Sequence, residues 1–358
     1  VTRRAAAIVA ALAVLAVVLA VVGQRGGAPA TGTGSLLVPG LAEALNDIER
    51  VVVTRAGGET VATLVRGATG WTVAEKAGYA ADVAKIRQAL VSLSEARIVE
   101  AKTADPAFHD RLGVEAIEAP TATGVAIALE GPATFPVLVL GDSPKSTSRY
   151  VRRATEQASF LIDRNPEIPS TTADWLVTEI LDVPGASVKS VTIKHSDGEE
   201  IALSKTDPAE TGFTVAAIPA GRELSYAGVA NVIGNALREL KLDDVTPAPT
   251  ESAAPTSVTE FRTFDGLVVT VTSTLDGEAA WLTFAADAEP TTVAPADEGA
   301  SAPSVEPGGE PAAEAASPDP AAQAAAINAR VTGWRYRIPE YQHGQLTRRW
   351  ADLLKAPE

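Results

Sequence analysis

Gly70-Trp71-Thr72-Val73-Ala74 and Gly212-Phe213-Thr214-Val215-Ala216 are two copies of one short stretch, identical at four of five positions. Their recurrence decides the fold. Each copy follows two strand-like runs joined by a glycine turn, and each precedes a helix-like run that opens on a tyrosine, Tyr79 or Tyr226. A unit that recurs at a fixed spacing, with offsets changing only at loops, is the pattern of a duplicated domain.

Working outward from the first copy, Val51-Val52-Val53-Thr54, a turn at Gly57-Gly58 and the run 60–65 read as an antiparallel hairpin. Trp71-Thr72-Val73 follows as a third short strand whose indole covers a core edge. A helix over 80–93 places Val83, Ile86, Leu90 and Leu93 on one face. Runs at 124–129, 135–140, 149–152 and 159–162 read as further strands, and 172–181 as a closing helix.

The second copy keeps the order roughly 140 positions on. Val191-Thr192-Ile193, the turn Asp197-Gly198 and Ile201-Ala202 stand for the hairpin, and Ile233, Ala236, Leu237 and Leu240 for the helix face. Strands follow within 261–274, 279–284 and 334–338, then a helix over 345–354. The fold class is therefore α+β: two tandem related units, each a mainly antiparallel sheet with one packed helix and a terminal helix, after an N-terminal transmembrane helix. The expected repeat core is Trp71, Phe213, Ile86, Leu90, Leu93, Ile233, Leu237 and Leu240. A core-facing Trp71 predicts a loss of about 3–5 kcal/mol for Trp71→Ala.

The domains expected are 1–22 (cytoplasmic end and anchor), 23–46 (flexible stalk), 47–184 (first unit) and 185–358 (second unit). Residues 5–22 form an unbroken apolar run after Arg3 and Arg4. As a helix this run spans about 27 Å, close to the hydrocarbon thickness of a bilayer. It reads as an uncleaved anchor or a cleaved signal, with Ala28-Pro29-Ala30 as a small-residue cleavage pattern. Either way the preceding arginines stay cytoplasmic and the bulk of the chain is extracytoplasmic. Residues 26–40, rich in Gly, Thr and Ala, read as the stalk. Residues 285–326 hold no aromatic residue, Lys or Arg and read as a disordered acidic insertion in the second unit. The eight acidic groups from Asp287 to Asp319 supply about half of the net charge of −15.

That charge, 45 acidic against 30 basic side chains, argues against a phosphate-tracking surface and so against nucleic acid as the partner. The chain has no cysteine, which excludes disulfides, thiolate nucleophiles and Cys-based metal centres. His109, His195 and His343 lack any ligand spacing. Gly141-Asp142-Ser143-Pro144-Lys145 lacks the second glycine of a nucleophile elbow and reads as a turn. Gly32-Thr33-Gly34 is linker rather than a dinucleotide loop. Asp105, Asp110, Glu115 and the pair Asp243-Asp244 read as solvated carboxylates. Arg149, Arg152 and Arg153 could meet anionic lipid or glycan, but an exposed edge strand defended by charge is preferred. Arg348-Arg349 beside Trp350 reads as the solvated face of a helix that turns Leu346, Trp350 and Leu353 inward. No catalytic residue, cofactor or metal ligand is assigned.

The hairpin, the Gly-Trp strand, the leucine-ladder helix, the Tyr150-Val151-Arg152 strand and the alternating strand 334–338 resemble the domain-of-unknown-function family 4340. The resemblance covers most of the chain after Asp47. It implies bacterial membrane-anchored proteins facing away from the cytoplasm, in the genetic neighbourhood of ABC-type transport systems, and offers no catalytic residue. The expected function is a non-enzymatic interaction protein, anchored through Ala5 to Val22, with a membrane-protein partner such as ABC transporter subunits. A glycan or small-solute binding module with its site between the two units is the alternative, its ligand unknown, and a hydrolase of unfamiliar layout is a third reading.

Overall fold

The computed structural model describes residues 32–226, 228–251, 253–289 and 319–355. The anchor read at 5–22 and the middle of the acidic insertion lie outside the described residues. Among those described, no helix is long and apolar enough to cross a membrane. The architecture is sheet-rich α+β, almost wholly antiparallel, and the chain divides into two compact units. Unit 1 comprises residues 1–71 and 82–171; unit 2 comprises 72–81 and 172–358. Thr72–Ala81, read from sequence as part of the first repeat, thus belongs to the second unit's packing.

The first sheet contains β1 (Arg50–Arg55), β2 (Glu59–Gly67), β3 (Gly70–Val73), β4 (Tyr79–Ala80), β5 (Ile98–Ala101), β6 (Val125–Glu130), β7 (Leu138–Leu140), β8 (Arg149–Arg153) and β9 (Ser159–Ile162). Its order is β4-β3-β2-β1-β6-β7-β8-β9-β5. β-Branched runs at Val51-Val52-Val53 and Thr60 to Val65 favour the pleated state, and Gly57 and Gly58 supply the positive φ, 74° and 72°, that the connecting turn requires. Helix α1 (Val83–Glu95) starts where Asp82 Oδ1 accepts the backbone N–H groups of Ala84 and Lys85. It buries Ile86, Ala89, Leu90 and Leu93 at helical spacing.

The stalk reading fails from Gly34 onward. The Gly34 N–H donates to Ile98 O and the Leu37 N–H to Ala96 O, and Leu37, Val38 and Leu41 are buried. The apolar triplet Leu36-Leu37-Val38 outweighs the small residues around it, because burying each such side chain is worth about 1.5–3 kcal/mol.

Unit 2 is built on β10 (Glu179–Leu181), β11 (Val188–His195), β12 (Glu200–Ser204), β13 (Thr214–Val215), helix α2 (Asn231–Gly234), β14 (Leu240–Lys241), β15 (Asp244–Pro247), β16 (Ser257–Thr263), β17 (Leu267–Asp276), β18 (Ala279–Ala288), α3 (Pro320–Val331), β19 (Trp334–Arg337), α4 (Glu340–Leu346) and α5 (Trp350–Leu353). Its main sheet runs β13-β12-β11-β16-β17-β18-β19-β15, and β10 pairs with β14 separately.

Four expectations change here. The helix expected at 172–181 is one 3-10 turn, Ala173–Trp175, followed by β10; Trp175 and Leu181 are fully buried, and the strand pairing of β10 with β14 overrides local helical spacing. The helix over 233–240 shrinks to the single turn α2, and Leu240 lies in β14. The helix expected at 345–354 is two short helices, broken at Thr347-Arg348-Arg349. The insertion 285–326 is ordered at both ends: β18 runs to Ala288, and α3, capped by Asp319 and opened by Pro320, buries Ala324, Ile327 and Val331. Asn328 clamps the two, donating to Ala286 O and accepting from the Ala286 N–H.

Candidate functional site

The exposed side of α1 carries a second stripe beside the buried one. Val83, Arg87 and Val91 succeed each other at i, i+4 and i+8, one above the next along the helix. Val83, at the start of the helix, is 44% exposed, although its spacing from Ile86 and Leu90 placed it on the core face. Two hollows flank the stripe within unit 1. One, of about 630 Å³, extends past Ala84 and Gln88 to Glu95 and Arg164. The other, of about 470 Å³, runs toward Leu45, Arg66 and the indole of Trp71. Both share Val83, Arg87 and Val91.

The charges on this face are unequal. Arg164 is held by Glu95 at 3.0 Å, and Arg66 donates to the Asn46 carbonyl. Arg87 is exposed and pairs with no carboxylate among the described residues. An apolar strip with one guanidinium group available at its side can take up apolar side chains while offering forked donors to a carboxylate.

A family model described as Domain of unknown function (DUF4340) matches residues 71–259, just over half of the sequence. The chain belongs to the DUF4340 family. The matched region opens on Trp71, at the wall of the smaller hollow, and contains the whole of α1. No curated protein and no solved structure matches the chain.

The residues assigned from sequence to the repeat core of this DUF4340 chain fall into two groups. Ile86, Leu90, Leu93, Ile233, Leu237 and Leu240 are buried. Trp71 and Phe213 are only half-buried, and the buried member of each copy is the valine two residues on, Val73 or Val215. Phe213 lies on α2: a Cβ at Gly234 would come within 2.0 Å of its ring, and Lys205 Nζ sits 4.4 Å from the ring centroid. Trp71 has solvent on one side, so Trp71→Ala should cost about 1–2 kcal/mol rather than the 3–5 of a buried indole. Chemical denaturation of the variant checks this; a loss above 3 kcal/mol restores the core reading.

The arginine cluster is structural. β8 pairs with β7 on one side and β9 on the other, so it is an interior strand and not an edge. Arg152 and Arg153 are both buried. Arg152 donates to the carbonyls of Val114, Glu115, Ala154 and Glu156 at 2.6–3.2 Å. Arg153 donates to Leu37 O and pairs with Glu156, and Arg149 donates to Gly141 O and Pro166 O. Burial pushes the pKa of Arg149 and of Arg152 down, yet both stay cationic at any ordinary pH. Arg349 is likewise engaged, reaching Asp197 and Glu199 at 2.7 Å each, and the Trp350 backbone N–H donates to Glu199.

The other candidates are equally ordinary. His109 Nε2 meets Gln157 O and His195 Nε2 meets Arg348 O. Ser143 hydrogen-bonds to Asn165 in the turn before β8, and Asp244 pairs with Lys76. Asp105 caps a 3-10 turn by accepting from Ala107. Among the described residues no group of three or more His, Asp or Glu side chains converges as a metal site.

One contact lay beyond sequence reasoning: Ser273 Oγ lies 3.2 Å from His343 Nε2, across seventy positions of chain. Ser273 is buried, and Thr256 Oγ1 also reaches it at 3.2 Å, so the hydroxyl has no open side for a substrate. Burial holds the His343 imidazole below its ordinary pKa of 6.5, against a smaller upward pull from Glu340. The unfolded chain therefore takes up this proton at higher pH than the folded one. Stability should fall as pH drops below 6.5 and level off below the folded pKa. Urea unfolding at a series of pH values should give a shallower dependence in His343→Gln; equal slopes would refute the assignment.

Proposed function

We propose that the protein is a membrane-anchored, extracytoplasmic, non-enzymatic interaction protein accessory to an ABC-type transport or cell-envelope system, and that the α1 stripe is where its protein partner docks. The observation that carries this reading is the stripe Val83-Arg87-Val91 with its two flanking hollows. An amphipathic helix laid along it buries apolar anchors against the valines and turns a carboxylate toward Arg87.

The finer architecture belongs to the same reading: an anchor at 5–22 followed by two related units. Strand order supports the relation. Reading from the hairpin edge, β3-β2-β1-β6-β7-β8-β9-β5 in the first sheet corresponds to β13-β12-β11-β16-β17-β18-β19-β15 in the second. In both, a strand after the helix, β5 in the first sheet and, beyond the short β14, β15 in the second, takes the far edge beside the last strand, β9 or β19.

A photo-crosslinking residue placed at the exposed position Gln88 tests the reading in intact cells. An adduct containing an ABC-type membrane subunit is expected, and Val83→Asp should abolish it while leaving the melting temperature unchanged. The reading is wrong if no such adduct forms, or if Val83→Asp leaves it untouched. Release of the full chain from membranes by alkaline carbonate would count against the anchor.

A further inference from the structure

Unit 2 contains a cavity of about 830 Å³ between the α2 turn, β14 and the start of α4. Four carboxamide residues, Asn231, Asn235, Gln342 and Gln345, line it. Two of them are tied into the wall. Asn231 accepts from the Phe213 N–H and donates to Thr211 O, and Asn235 donates to Asn231 O. Gln342 differs: it is 7% exposed, and its Oε1 has no hydrogen-bond partner. A buried amide oxygen without a donor is costly, and such a group calls for a partner.

Backbone strain sits on the same wall. Glu239 has φ +47°, the left-handed region that a non-glycine residue rarely occupies, and its N–H is held by Asp182 Oδ1 at 3.0 Å. Strained residues persist where the surroundings enforce them, and they cluster at binding sites. The charges at the rim cancel, Arg238 and Lys241 standing against Glu239 and Asp243. The cavity therefore has no net field with which to select an ion. Tyr341, 67% exposed, presents a bare aromatic face at the mouth.

From these features we propose that this cavity binds a neutral saccharide. A carboxamide offers a donor and an acceptor in one plane, which matches the paired hydroxyls of a sugar ring. An exposed tyrosine offers an apolar face to the ring's C–H surface and a hydroxyl at its tip. The balanced charges accept hydroxyl groups from either side without requiring a charged ligand. The site lies wholly in unit 2, apart from the α1 stripe, and does not depend on the docking proposal.

Saturation-transfer NMR on the full chain in detergent, with maltose, cellobiose and N,N′-diacetylchitobiose at millimolar concentration, tests it. Transfer to the ring protons of at least one disaccharide is expected. Tyr341→Ala should weaken that binding at least tenfold with no change in melting temperature. Gln342→Leu should also lose binding, while its melting temperature stays level or rises because the orphaned oxygen is gone. Absence of transfer from all three sugars, or equal transfer in wild type and Tyr341→Ala, overturns the proposal. Should Gln342→Leu fail to fold, the exposed Tyr341 variant alone decides between the outcomes.

Discussion

Replacing Arg152 by alanine should destabilise unit 1 by about 4 kcal/mol or more, among the largest losses from a single side chain in this protein. The guanidinium is buried and spends its donors on four backbone carbonyls, those of Val114, Glu115, Ala154 and Glu156. These carbonyls come from the segment after the 3-10 turn Asp110–Leu112 and from the turn after β8, two pieces of chain outside the strand ladders. Each hydrogen bond to a charged donor is worth about 1.5–3 kcal/mol, and each carbonyl left buried without a partner costs about 1–3. Arg152→Met should fare little better, since it fills the volume and leaves the carbonyls unpaired. Arg152→Lys should recover part of the loss, because one ammonium cannot fork to both segments. Arg50, about half exposed and 3.6 Å from Glu130, is the control: Arg50→Ala should cost less than about 1 kcal/mol. Urea unfolding followed by circular dichroism measures all four variants. A loss under 1 kcal/mol for Arg152→Ala would mean that water replaces the guanidinium.

The contrast between these two arginines marks where the sequence stops being legible. Short β-branched and apolar runs at 51–53, 60–65 and 159–162, set off by glycine and polar turns, located strands because such side chains favour the pleated state locally. The ladder Ile86, Leu90, Leu93 located α1 by its helical spacing. What decides the fate of Arg152 is not local. Its partners lie up to 38 positions away, and Tyr-Val-Arg-Arg reads equally well as a charged edge or as an interior strand carrying a buried cation. Composition misled at 320–326 in the opposite direction. Alanine in a Pro- and Glu-rich tract counts toward disorder, yet after Asp319-Pro320 it is the best helix former available. The candidate site was half legible. Trp71 was singled out by its recurrence, whereas the exposure of Val83 depends on which face of α1 the sheet leaves uncovered. The saccharide cavity was not legible at all, because its carboxamides come from two segments about a hundred residues apart, and amides carry no periodic signal.

Tyr79→Ala should lower the stability of unit 2 by about 4 kcal/mol, although Tyr79 lies in the first quarter of the chain. From sequence it opens the first helix; in the structure it is β4, 7% exposed, within the segment Thr72–Ala81 that packs with unit 2. Its ring meets Trp334 edge-on at 5.0 Å and Tyr336 at 6.2 Å, and Phe284 extends the cluster at 5.7 Å from Tyr336. Burial pushes the Tyr79 and Tyr336 phenols up, so neither ionises in the ordinary range. The segment is fixed on both sides of Tyr79: Lys76 pairs with Asp244 at 2.5 Å, and Ala80 O accepts from the Val177 N–H at 3.0 Å. Truncating a buried aromatic side chain costs about 3–5 kcal/mol, and each lost edge-to-face contact adds about 0.5–1.5. Tyr79→Phe keeps the ring and should lose only about 1 kcal/mol. Fluorescence separates the units in a Trp71→Phe background, since the remaining indoles, Trp175, Trp281, Trp334 and Trp350, all belong to unit 2. In that background the denaturation midpoint should fall sharply for Tyr79→Ala and barely for Tyr79→Phe. An unmoved midpoint would place the aromatic cluster's stability in Trp334, Tyr336 and Phe284 alone. A shift of the expected size would mean that a fragment starting at Thr172, or at the repeat boundary between 184 and 185, lacks a wall of its own core.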